Sequence, residues 1–435
     1  MKDDGKSQGW TDFFNYTLAP LFLMIGSTNF SVCVVYLVVV EKSDAGAVTR
    51  RGGPVDFVLR AWKSSLVFDP EIVALLAAYT LWSASALLIL GGEAYYGPPT
   101  STGHRPRYLR SGFKYYLASL ASAALLLSSV SARHWYQKFH VVIGNVVVFG
   151  YCVTVLIYLK GRLYRSPGEH GSSGNVVFDF YWGLELYPRL GQWFDVKQWT
   201  NCRFGMMAMQ LIILLCWKAQ VEETGWNWAM ATTSCLQTVY LAKFYWWEDG
   251  YMNTIDITRD RAGFYICWGC LCFVPSFYTL TNLYMVENSP ALRPEIAVVI
   301  FVAGTVSILL NYWTDYQKQL VKSTKGKCII WKVPATVIRG SYRDAENVTR
   351  EVVLLASGFW GLARHMNYFF EILLHIFWEL PSLFSSLIPY LHGLFLTVLL
   401  IHRVFRDEKL CQKKYGSYWQ QYCQLCKYRI IPGIF

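Results

Sequence analysis

Long apolar runs recur along almost the whole of this 435-residue chain, and they constrain its fold more than any other feature. A helix needs about 20 mainly apolar residues to cross the hydrocarbon core of a bilayer. Such runs lie near 18–40, 71–92, 115–132, 139–159, 206–220, 229–247, 264–285 and 294–313, with two shorter ones near 369–388 and 389–402. We therefore predict an all-α integral membrane protein with about ten transmembrane helices.

Composition agrees with this fold class. Hydrophobic residues make up 54% of the chain and charged residues 16%, whereas about a quarter of the residues in soluble domains are charged. The opening MKDDGKSQGW lacks the features of a secretory signal, so we expect the first span to be its own insertion signal. Without long linkers or repeats, the chain is expected to form one continuous membrane domain.

Positive charge is concentrated in two segments of the last third of the chain. Their basic residues are Lys318, Lys322, Lys325, Lys327, Lys332, Arg339, Arg343 and Arg350 in the first segment, and Arg403, Arg406, Lys409, Lys413, Lys414, Lys427 and Arg429 in the second. The positive-inside rule predicts that both segments are cytosolic. Pro381 and Pro389 interrupt the apolar region between them, which favours a helical hairpin that enters and leaves by one face. Eight upstream spans then place the N-terminus in the cytosol.

The stretch LLASGFWGLARHMNY at 354–368 combines groups suited to a nucleotide. If it is one helix, Trp360, Arg364, Asn367 and Tyr368 share a stripe, because residues three and four apart lie on the same face. An indole, a guanidinium, an amide and a phenol suit a ligand with a ring system and phosphates. Anchoring of a helix at the bilayer interface is the alternative.

A second set with helical spacing follows the predicted hairpin. Asp407, Cys411, Lys414 and Tyr415 have the spacing i, i+4, i+7, i+8, and Gly416 is a natural helix stop. On the next helix, Tyr418 and Tyr422 are four residues apart, and the two sets together predict a second wall of the same pocket. A basic amphipathic tail in contact with anionic lipid is the alternative.

Acidic residues are crowded between two predicted spans, at 246–265. They are Glu248, Asp249, Asp256 and Asp260. Carboxylates so close to hydrocarbon are expensive unless they pair with a base or face a cavity. Two interpretations stay open, an ion-pair network with Arg259, Arg261 or Arg203, and a polar pocket at the end of the membrane domain.

Cysteine usage indicates packing. The twelve cysteines lie mostly in apolar runs, where a thiol behaves as a small hydrophobe. Cys267/Cys270 and Cys423/Cys426 have CxxC spacing, but no histidine stands at zinc-site spacing around them. We expect no metal.

Several segments together resemble a known family. They are DFYWGLELYPR, TNCRFGMM, TIDITRDRAGFYICWG, LLASGFWGLARHMNY, HRVFRDEKLCQKKYGSYWQQYC and YRIIPGIF. From about residue 95 to its end, the chain is similar to the eukaryotic sterol C=C reductases. Tyr251 after WWEDG, Ala363 and the closing PGIF resemble the delta-7 type in its plant-like forms, and the delta-14 type is the alternative.

The resemblance implies that NADPH binds in a cytosol-facing pocket of the C-terminal half. The implied cofactor-binding residues, with Arg364 added from the predicted stripe, are Lys318, Lys322, Leu355, Trp360, Arg364, Asn367, Tyr368, Asp407, Cys411, Gln412, Lys413, Lys414, Tyr415 and Tyr422. Three positions depart from the family pattern. Lys322 replaces an Arg, so the bidentate hydrogen bonding of a guanidinium is lost there. Met366 replaces Phe or Pro, and Ser111 replaces the Asn of a GxRPxYxxNG pattern.

The implied reaction needs an acid as well as a hydride. A sterol alkene is not polarised as a carbonyl is, so it must be protonated before a hydride can add. Candidate proton donors are Tyr251, Glu248 and Asp256, with Asp260 behind them. We expect residues 1–313 to hold eight helices and a sterol pocket, and residues 314–435 to form the NADPH-binding region.

The resemblance also implies a place in the cell and a set of partners. We expect a multi-pass protein of the endoplasmic reticulum membrane with both termini in the cytosol. The sterol should enter from the bilayer, and membrane lipids surround the protein. Association with other sterol-biosynthesis enzymes stays open, and we expect no nucleic acid partner.

Two rival classes share parts of this pattern. An isoprenylcysteine-type methyltransferase also has an RHxxY-like segment and a helical hairpin near its C-terminus, but the acidic cluster and DFYWGLELYPR have no place in it. A sterol-binding or nuclear-membrane scaffold would carry a chromatin-binding head. About 17 residues precede the first predicted span, so we expect no such head.

Overall fold

The computed structural model describes residues 11–50, 52–100, 103–166, 168–343 and 349–435. The first ten residues, for which no secretory signal is expected, lie outside this part of the chain. The chain forms two compact units, one with the described residues up to Ser289 and one from Pro290 to Phe435. The predicted division at 313/314 falls inside a helix of the second unit, Pro294–Ser323.

The first unit is built from helices. In chain order they are α1 (Ala19–Val39), α2 (Gly53–Ser65), α3 (Pro70–Ile89), α4 (Gly112–Ser129), α5 (Ala132–Gln137), α6 (Phe139–Leu163), α7 (Val176–Trp182), α8 (Met206–Thr224), α9 (Trp228–Trp246), α10 (Glu248–Tyr251), α11 (Ile255–Thr258), α12 (Val274–Phe277) and α13 (Leu280–Asn288). Two antiparallel ribbons join them, β1 (Ala94–Tyr96) with β2 (Arg107–Leu109) and β3 (Arg189–Leu190) with β4 (Phe194–Asp195).

Besides the π-helical turn Phe14–Leu18, two further π-helical segments pack against each other in the first unit. Gln198–Gly205 leads into α8, and Phe264–Phe273 leads into α12. They approach so closely that a Cβ added at Gly205 would lie 2.4 Å from the carbonyl oxygen of Cys270. Every residue of Gln198–Gly205 is buried, including Arg203. Because π-helical turns occur frequently at functional sites, this buried polar segment is a natural place to look for chemistry.

The second unit combines a long helix, β-hairpins and a helical hairpin. Its elements are α14 (Pro294–Ser323), β5 (Ile329–Ile330), β6 (Val333–Pro334), β7 (Val337–Arg343), β8 (Thr349–Leu355), α15 (Phe359–Leu362), α16 (Met366–Glu379), α17 (Leu391–Tyr415) and α18 (Ser417–Leu425). β7 pairs with β8 in antiparallel register, from Val337 opposite Leu355 to Arg343 opposite Thr349. Short 3-10 turns that contain Pro381 and Pro389 separate α16 from α17. The predicted helix break is therefore confirmed.

Apolar helices define an all-α integral membrane protein, as predicted. Among the described residues, the helical stretches long and apolar enough to cross a membrane are Thr11–Val39, Pro70–Ile89, Phe139–Leu163, Gln198–Thr224, Phe264–Asn288, Pro294–Ser323 and Ile388–Tyr415. The other three predicted spans coincide with α4, α9 and α16. The number ten stays a prediction.

The prediction of a single helix at 354–368 was wrong. Strand β8 ends at Leu355, α15 covers only Phe359–Leu362, and Ala363 has extended backbone angles of −152° and 152° before α16 begins. Gly358 has φ +61°, a value that favours glycine, and a Cβ there would lie 2.4 Å from Gln317 Oε1. The four expected residues therefore share no helical stripe.

The helix of the predicted span at 294–313 extends beyond residue 313. Helix α14 continues to Ser323, so Lys318 and Lys322 lie on its last turns. Apolar periodicity ends near residue 313, but lysine and glutamine are good helix formers and the helix extends through them. Asp315, Lys318 and Lys322 consequently lie along one side of α14.

Candidate functional site

A cation and an indole meet in the second unit. Lys318 Nζ lies 4.3 Å from the centroid of the Trp360 ring. The indole Nε1 of Trp360 donates a 2.8 Å hydrogen bond to the carbonyl oxygen of Thr314. Trp360 and Leu355 belong to one buried apolar cluster. Three of the expected cofactor residues are thus brought together although the predicted helix is absent.

The second wall forms on α17 and α18 as the spacing predicts. Helix α17 ends at Tyr415 with Gly416 as its cap. Lys414 Nζ lies 4.2 Å from the ring centroid of Tyr342 and 5.2 Å from that of Tyr415. Cys411 and Tyr415 pack against the buried cluster that contains Tyr422. Asp407 is 3.8 Å from the Cys411 sulfur.

Contacts join the two walls. Tyr422 Oη donates to the carbonyl oxygen of Trp360 over 3.4 Å. His365 Nε2 lies 4.0 Å from Asp407 Oδ2, and the His365 ring stacks on Tyr368 with centroids 5.0 Å apart. The predicted pairing of the segment around 360 with α17 and α18 is therefore present.

Asn367 is held by its amide nitrogen. Its Nδ2 donates a 3.1 Å hydrogen bond to Asp315 Oδ1. Its Oδ1 is buried without a hydrogen-bond partner among the described residues, and so is His365 Nε2. Burial and then the charges of Lys318, Arg364 and Arg429 lower the pKa of His365 to about 3, so its imidazole is neutral. Neutral, buried and unpartnered polar atoms are suited to meeting a ligand.

Arg364 is held by protein acceptors. Its Nη2 donates to Glu408 Oε1 over 2.5 Å, and its Nη1 donates to the carbonyl oxygens of Cys426 and Lys427 over 2.6 and 2.9 Å. Glu408 also accepts from Arg429 Nε at 3.0 Å. This geometry ties α17 to the C-terminal segment, and it favours a structural role for Arg364.

Two expected residues lie on another face of α17. Gln412 and Lys413 are exposed, whereas Cys411, Lys414 and Tyr415 are half-buried. Five consecutive residues of a helix cannot all point to one side, because successive side chains are rotated by about 100° around the helix axis. The expected run from Cys411 to Tyr415 is therefore divided by the structure.

The acidic segment of the first unit contains a buried ion pair. Arg203 Nη1 lies 2.5 Å from Glu248 Oε1, and Arg203 Nη2 lies 3.1 Å from Glu248 Oε2. Arg203 is 0% exposed and Glu248 6%. Ser111 Oγ accepts a further hydrogen bond from Arg203 Nη2 at 3.1 Å. The interpretation as an ion pair with Arg203 is confirmed, and this contact leaves Glu248 poorly placed to donate a proton.

Tyr251 has a different environment. Its phenol oxygen accepts a 2.9 Å hydrogen bond from Asn201 Nδ2, and its ring lies against Phe244 with centroids 5.1 Å apart. Burial raises the pKa of Tyr251 well above its ordinary value. Its hydroxyl donates to no described residue, so its proton remains available to a substrate.

Asp256 and Asp260 differ in burial. Asp256 is half-buried in the first turn of α11, and Asp260 is buried just beyond that helix. The carbonyl oxygens of Ile257 and Asp260 accept hydrogen bonds of 2.8 and 2.6 Å from the buried amine of Lys197. Burial lowers the pKa of Lys197 to about 8. Lys197 thus holds in place the segment that follows Tyr251.

Comparison with known proteins identifies the family. The model of the ergosterol biosynthesis ERG4/ERG24 family matches residues 56–435. The chain belongs to this family. It is 42% identical to the 7-dehydrocholesterol reductase of Arabidopsis thaliana, over 84% of this chain and 86% of the relative.

Other ERG4/ERG24 relatives are more distant. The 7-dehydrocholesterol reductase of Danio rerio is 35% identical over 69% of this chain, which covers 65% of that protein's length. The delta(14)-sterol reductase LBR of Gallus gallus is 28% identical over 92% of this chain and 61% of its own length.

Several residues that contact the expected ones were not predicted from the sequence. Asp315, His365 and Tyr342 contact expected residues, and Asn201 contacts Tyr251. The spacing of Asp315 and Lys318, i and i+3, was a usable signal for Asp315. Nothing local marks Tyr342, because its contact with Lys414 depends on the packing of β7 against α17.

The cysteines of the described part of the chain form neither a disulfide nor a candidate metal site. All twelve are free thiols. No group of three or more His, Cys, Asp or Glu side chains among these residues is arranged to hold a metal ion.

Proposed function

We propose that this protein reduces the C7–C8 double bond of 5,7-diene sterols with NADPH as the reductant. The observation that carries the proposal is the 42% identity with a 7-dehydrocholesterol reductase over 84% of the chain. Two structural features support it. One is the lysine-rich aromatic cluster of the second unit, and the other is the buried phenol of Tyr251.

The proposed NADPH site consists of groups that fit the cofactor's parts. Lys318, Lys322 and Lys414 would bind phosphates, since ammonium groups form strong charge-assisted hydrogen bonds with them. The half-buried ring of Tyr415 is available for stacking, whereas Trp360 is buried and has the Lys318 ammonium over its ring. The like charges of such a lysine cluster repel one another unless an anion is present.

Buried polar atoms provide a second test of fit. Asn367 Oδ1 and His365 Nε2 lack partners among the described residues, and such atoms are costly unless they meet a ligand. An amide oxygen accepts and a neutral imidazole nitrogen accepts or donates, so both suit ribose hydroxyls or a carboxamide. NADPH, when bound, supplies a hydride. The role of the chain's own residues is to bind the cofactor.

Tyr251 is the proposed proton donor. An alkene must take a proton before it can accept a hydride, and the donor must keep its proton at neutral pH. The raised pKa of Tyr251 ensures that its phenol stays protonated. Asn201 fixes the orientation of the phenol oxygen from one side. Asp256 is the second candidate, whereas Glu248 is committed to Arg203.

We also propose that the protein resides in the endoplasmic reticulum membrane with both termini in the cytosol. The support is electrostatic. Basic side chains cluster in the segments before α16 and at the end of α17, and lysine and arginine favour cytosolic loops. Labelling of Lys325→Cys and Lys409→Cys in sealed microsomes, measured against the labelling of the chain's own free thiols, would test the orientation of these two segments. Both should react from the outside.

Sterol analysis tests the activity. Purified protein in detergent or nanodiscs should convert a 5,7-diene sterol when NADPH is added, and the conjugated ultraviolet absorption should disappear. A delta-14 reductase is the second candidate, because the LBR protein of Gallus gallus is 28% identical over 92% of this chain. An unchanged 5,7-diene together with consumption of a delta-8,14 sterol would favour that activity. If neither sterol is consumed, both candidates are wrong.

A further inference from the structure

An open groove lies on the surface of the first unit between two membrane-spanning helices. Its volume is about 390 Å³, within the range of roughly 300–1,000 Å³ found for small-molecule sites. Helices α3 and α6 form its walls, and the segment between α2 and α3 forms one end. Its lining residues are Leu66, Val67, Phe68, Val73, Leu76, Asn145, Val148 and Phe149. All but one of these side chains are apolar.

Asn145 is the exception, and its side-chain oxygen Oδ1 has no hydrogen-bond donor in the described part of the chain. Both donors of its Nδ2 are used, one by the carbonyl oxygen of Val67 at 3.0 Å and one by that of Val141 at 2.9 Å. No described residue donates to its Oδ1. An amide oxygen without a protein donor can accept a hydrogen bond from a ligand in the groove. The groove therefore presents one hydrogen-bond acceptor to an otherwise apolar ligand.

Close packing holds this acceptor in place. A Cβ added at Gly144 would lie 2.1 Å from the carbonyl oxygen of Ser65, so only glycine allows the end of α2 to lie this close to α6. This approach brings the Val67 carbonyl oxygen within reach of Asn145. The position of the acceptor is thus built into the backbone.

The polar end of the groove lies next to charged residues. Lys138 Nζ, just before α6, is 3.0 Å from Asp69 Oδ2 and 2.9 Å from Glu71 Oε2 at the start of α3. Charged side chains at the ends of spanning helices lie at the membrane–water interface. Both helices begin at this end, so Val148 and Phe149 lie about one turn deeper in the bilayer than Asn145, and Leu76 lies at a similar depth to Asn145.

We propose that this groove binds a membrane sterol, with the sterol 3-hydroxyl donating a hydrogen bond to Asn145 Oδ1. The inference rests on the proposed function, which makes sterols the class of molecule that the chain handles. A sterol has one small donor at the interface and a rigid apolar body below it. That shape matches one acceptor near the charged end of the groove and apolar walls beneath. Phosphatidylcholine has a large headgroup and no hydrogen-bond donor.

Photolabelling with a sterol probe tests the groove directly. The protein is placed in phosphatidylcholine nanodiscs with a sterol that carries a ring-B diazirine and a free 3-hydroxyl, and the labelled peptides are mapped. We expect labels within 66–76 and 145–149. Cholesterol should compete at a concentration about tenfold lower than its 3-O-methyl ether, because the ether cannot donate. Equal competition by the two would overturn the proposal, and so would displacement of the probe by phospholipid alone.

Two matched variants separate the groove from general lipid contact. Val148→Trp fills the groove, whereas Val155→Trp places the same ring on the same helix at an exposed residue that does not line it. Labelling should fall at least tenfold in the first variant and stay at the wild-type level in the second. An equal effect in both would also refute the groove.

These measurements need no turnover. If the wild-type protein binds the probe as described but reduces no sterol, the proposed function is wrong and the sterol-binding groove is supported. A protein that reduces the diene but shows no preference for the free hydroxyl would overturn the groove alone.

Discussion

The amide nitrogen of Asn201 donates a 2.9 Å hydrogen bond to the phenol oxygen of Tyr251, across 50 residues of sequence. The hydroxyl of Thr200 lies 3.0 Å from the amide oxygen of Asn201 and 3.0 Å from the carbonyl oxygen of Val196. The phenol oxygen is therefore fixed as an acceptor, and its own proton remains available. A buried π-helical segment thus positions the candidate acid.

Removing the phenol should stop proton transfer. Tyr251→Phe is expected to lower turnover by about a hundredfold or more, because general acid catalysis contributes roughly 10²–10⁴-fold. Asn201→Ala should have a smaller effect of about tenfold, since the acid remains but is less well oriented. Steady-state assays with the 5,7-diene measure both, and NADPH titrations supply the control. A collapse of NADPH affinity in Tyr251→Phe would contradict the assignment.

Glu248 should matter for stability more than for chemistry. Glu248→Gln leaves the buried Arg203 without its counter-charge, and breaking a buried ion pair in this way costs about 3–5 kcal/mol. We expect a clearly lower melting temperature in detergent. Replacing both residues, as in Arg203→Met with Glu248→Met, should recover part of the loss. If Glu248→Gln melts like the wild type but is inactive, then Glu248 is the acid.

Adjacent lysines on α17 provide a matched test of the cofactor site. Lys414 lies over Tyr342, while Lys413 is exposed on another face. Lys414→Ala should weaken NADPH binding about tenfold or more, in line with the roughly 1.5–3 kcal/mol of a charged hydrogen bond, and Lys413→Ala should change it less than twofold. Fluorescence titration with NADPH gives both constants. Equal losses would indicate only a general effect of positive charge.

His365 should make stability depend on pH. Its pKa is about 3 in the folded protein and about 6.5 when unfolded, so the unfolded state binds the extra proton between these values. Stability is therefore lost as the pH falls below about 6.5, by up to about 1.4 kcal/mol per pH unit. Between pH 7 and pH 5 the melting temperature should fall less in His365→Phe than in the wild type. This variant keeps an aromatic ring beside Tyr368. The same slope in both proteins would show that His365 titrates freely.

Local sequence patterns predicted part of the site correctly. Helical spacing placed Asp407, Cys411, Lys414 and Tyr415 on one helix, and Gly416 marked its end. The same reasoning failed for 354–368, where Gly358 and the extended Ala363 break the chain into a strand end and two helices. The backbone conformation of a glycine-rich segment depends more on tertiary packing than on helical spacing, because glycine has the weakest backbone preference of all residues.

The sequence by itself determined the membrane class, the positions of the apolar helices and the family, since these depend on composition, run length and local motifs. Tertiary structure decided which side chains meet. Arg203 lies far from Glu248 in sequence, and so do Asn201 from Tyr251 and Lys318 from Trp360, so no local pattern encodes their contacts. A carboxyl becomes a structural ion pair or a free acid according to the partner that folding brings to it, because burial makes the charge of that partner decisive.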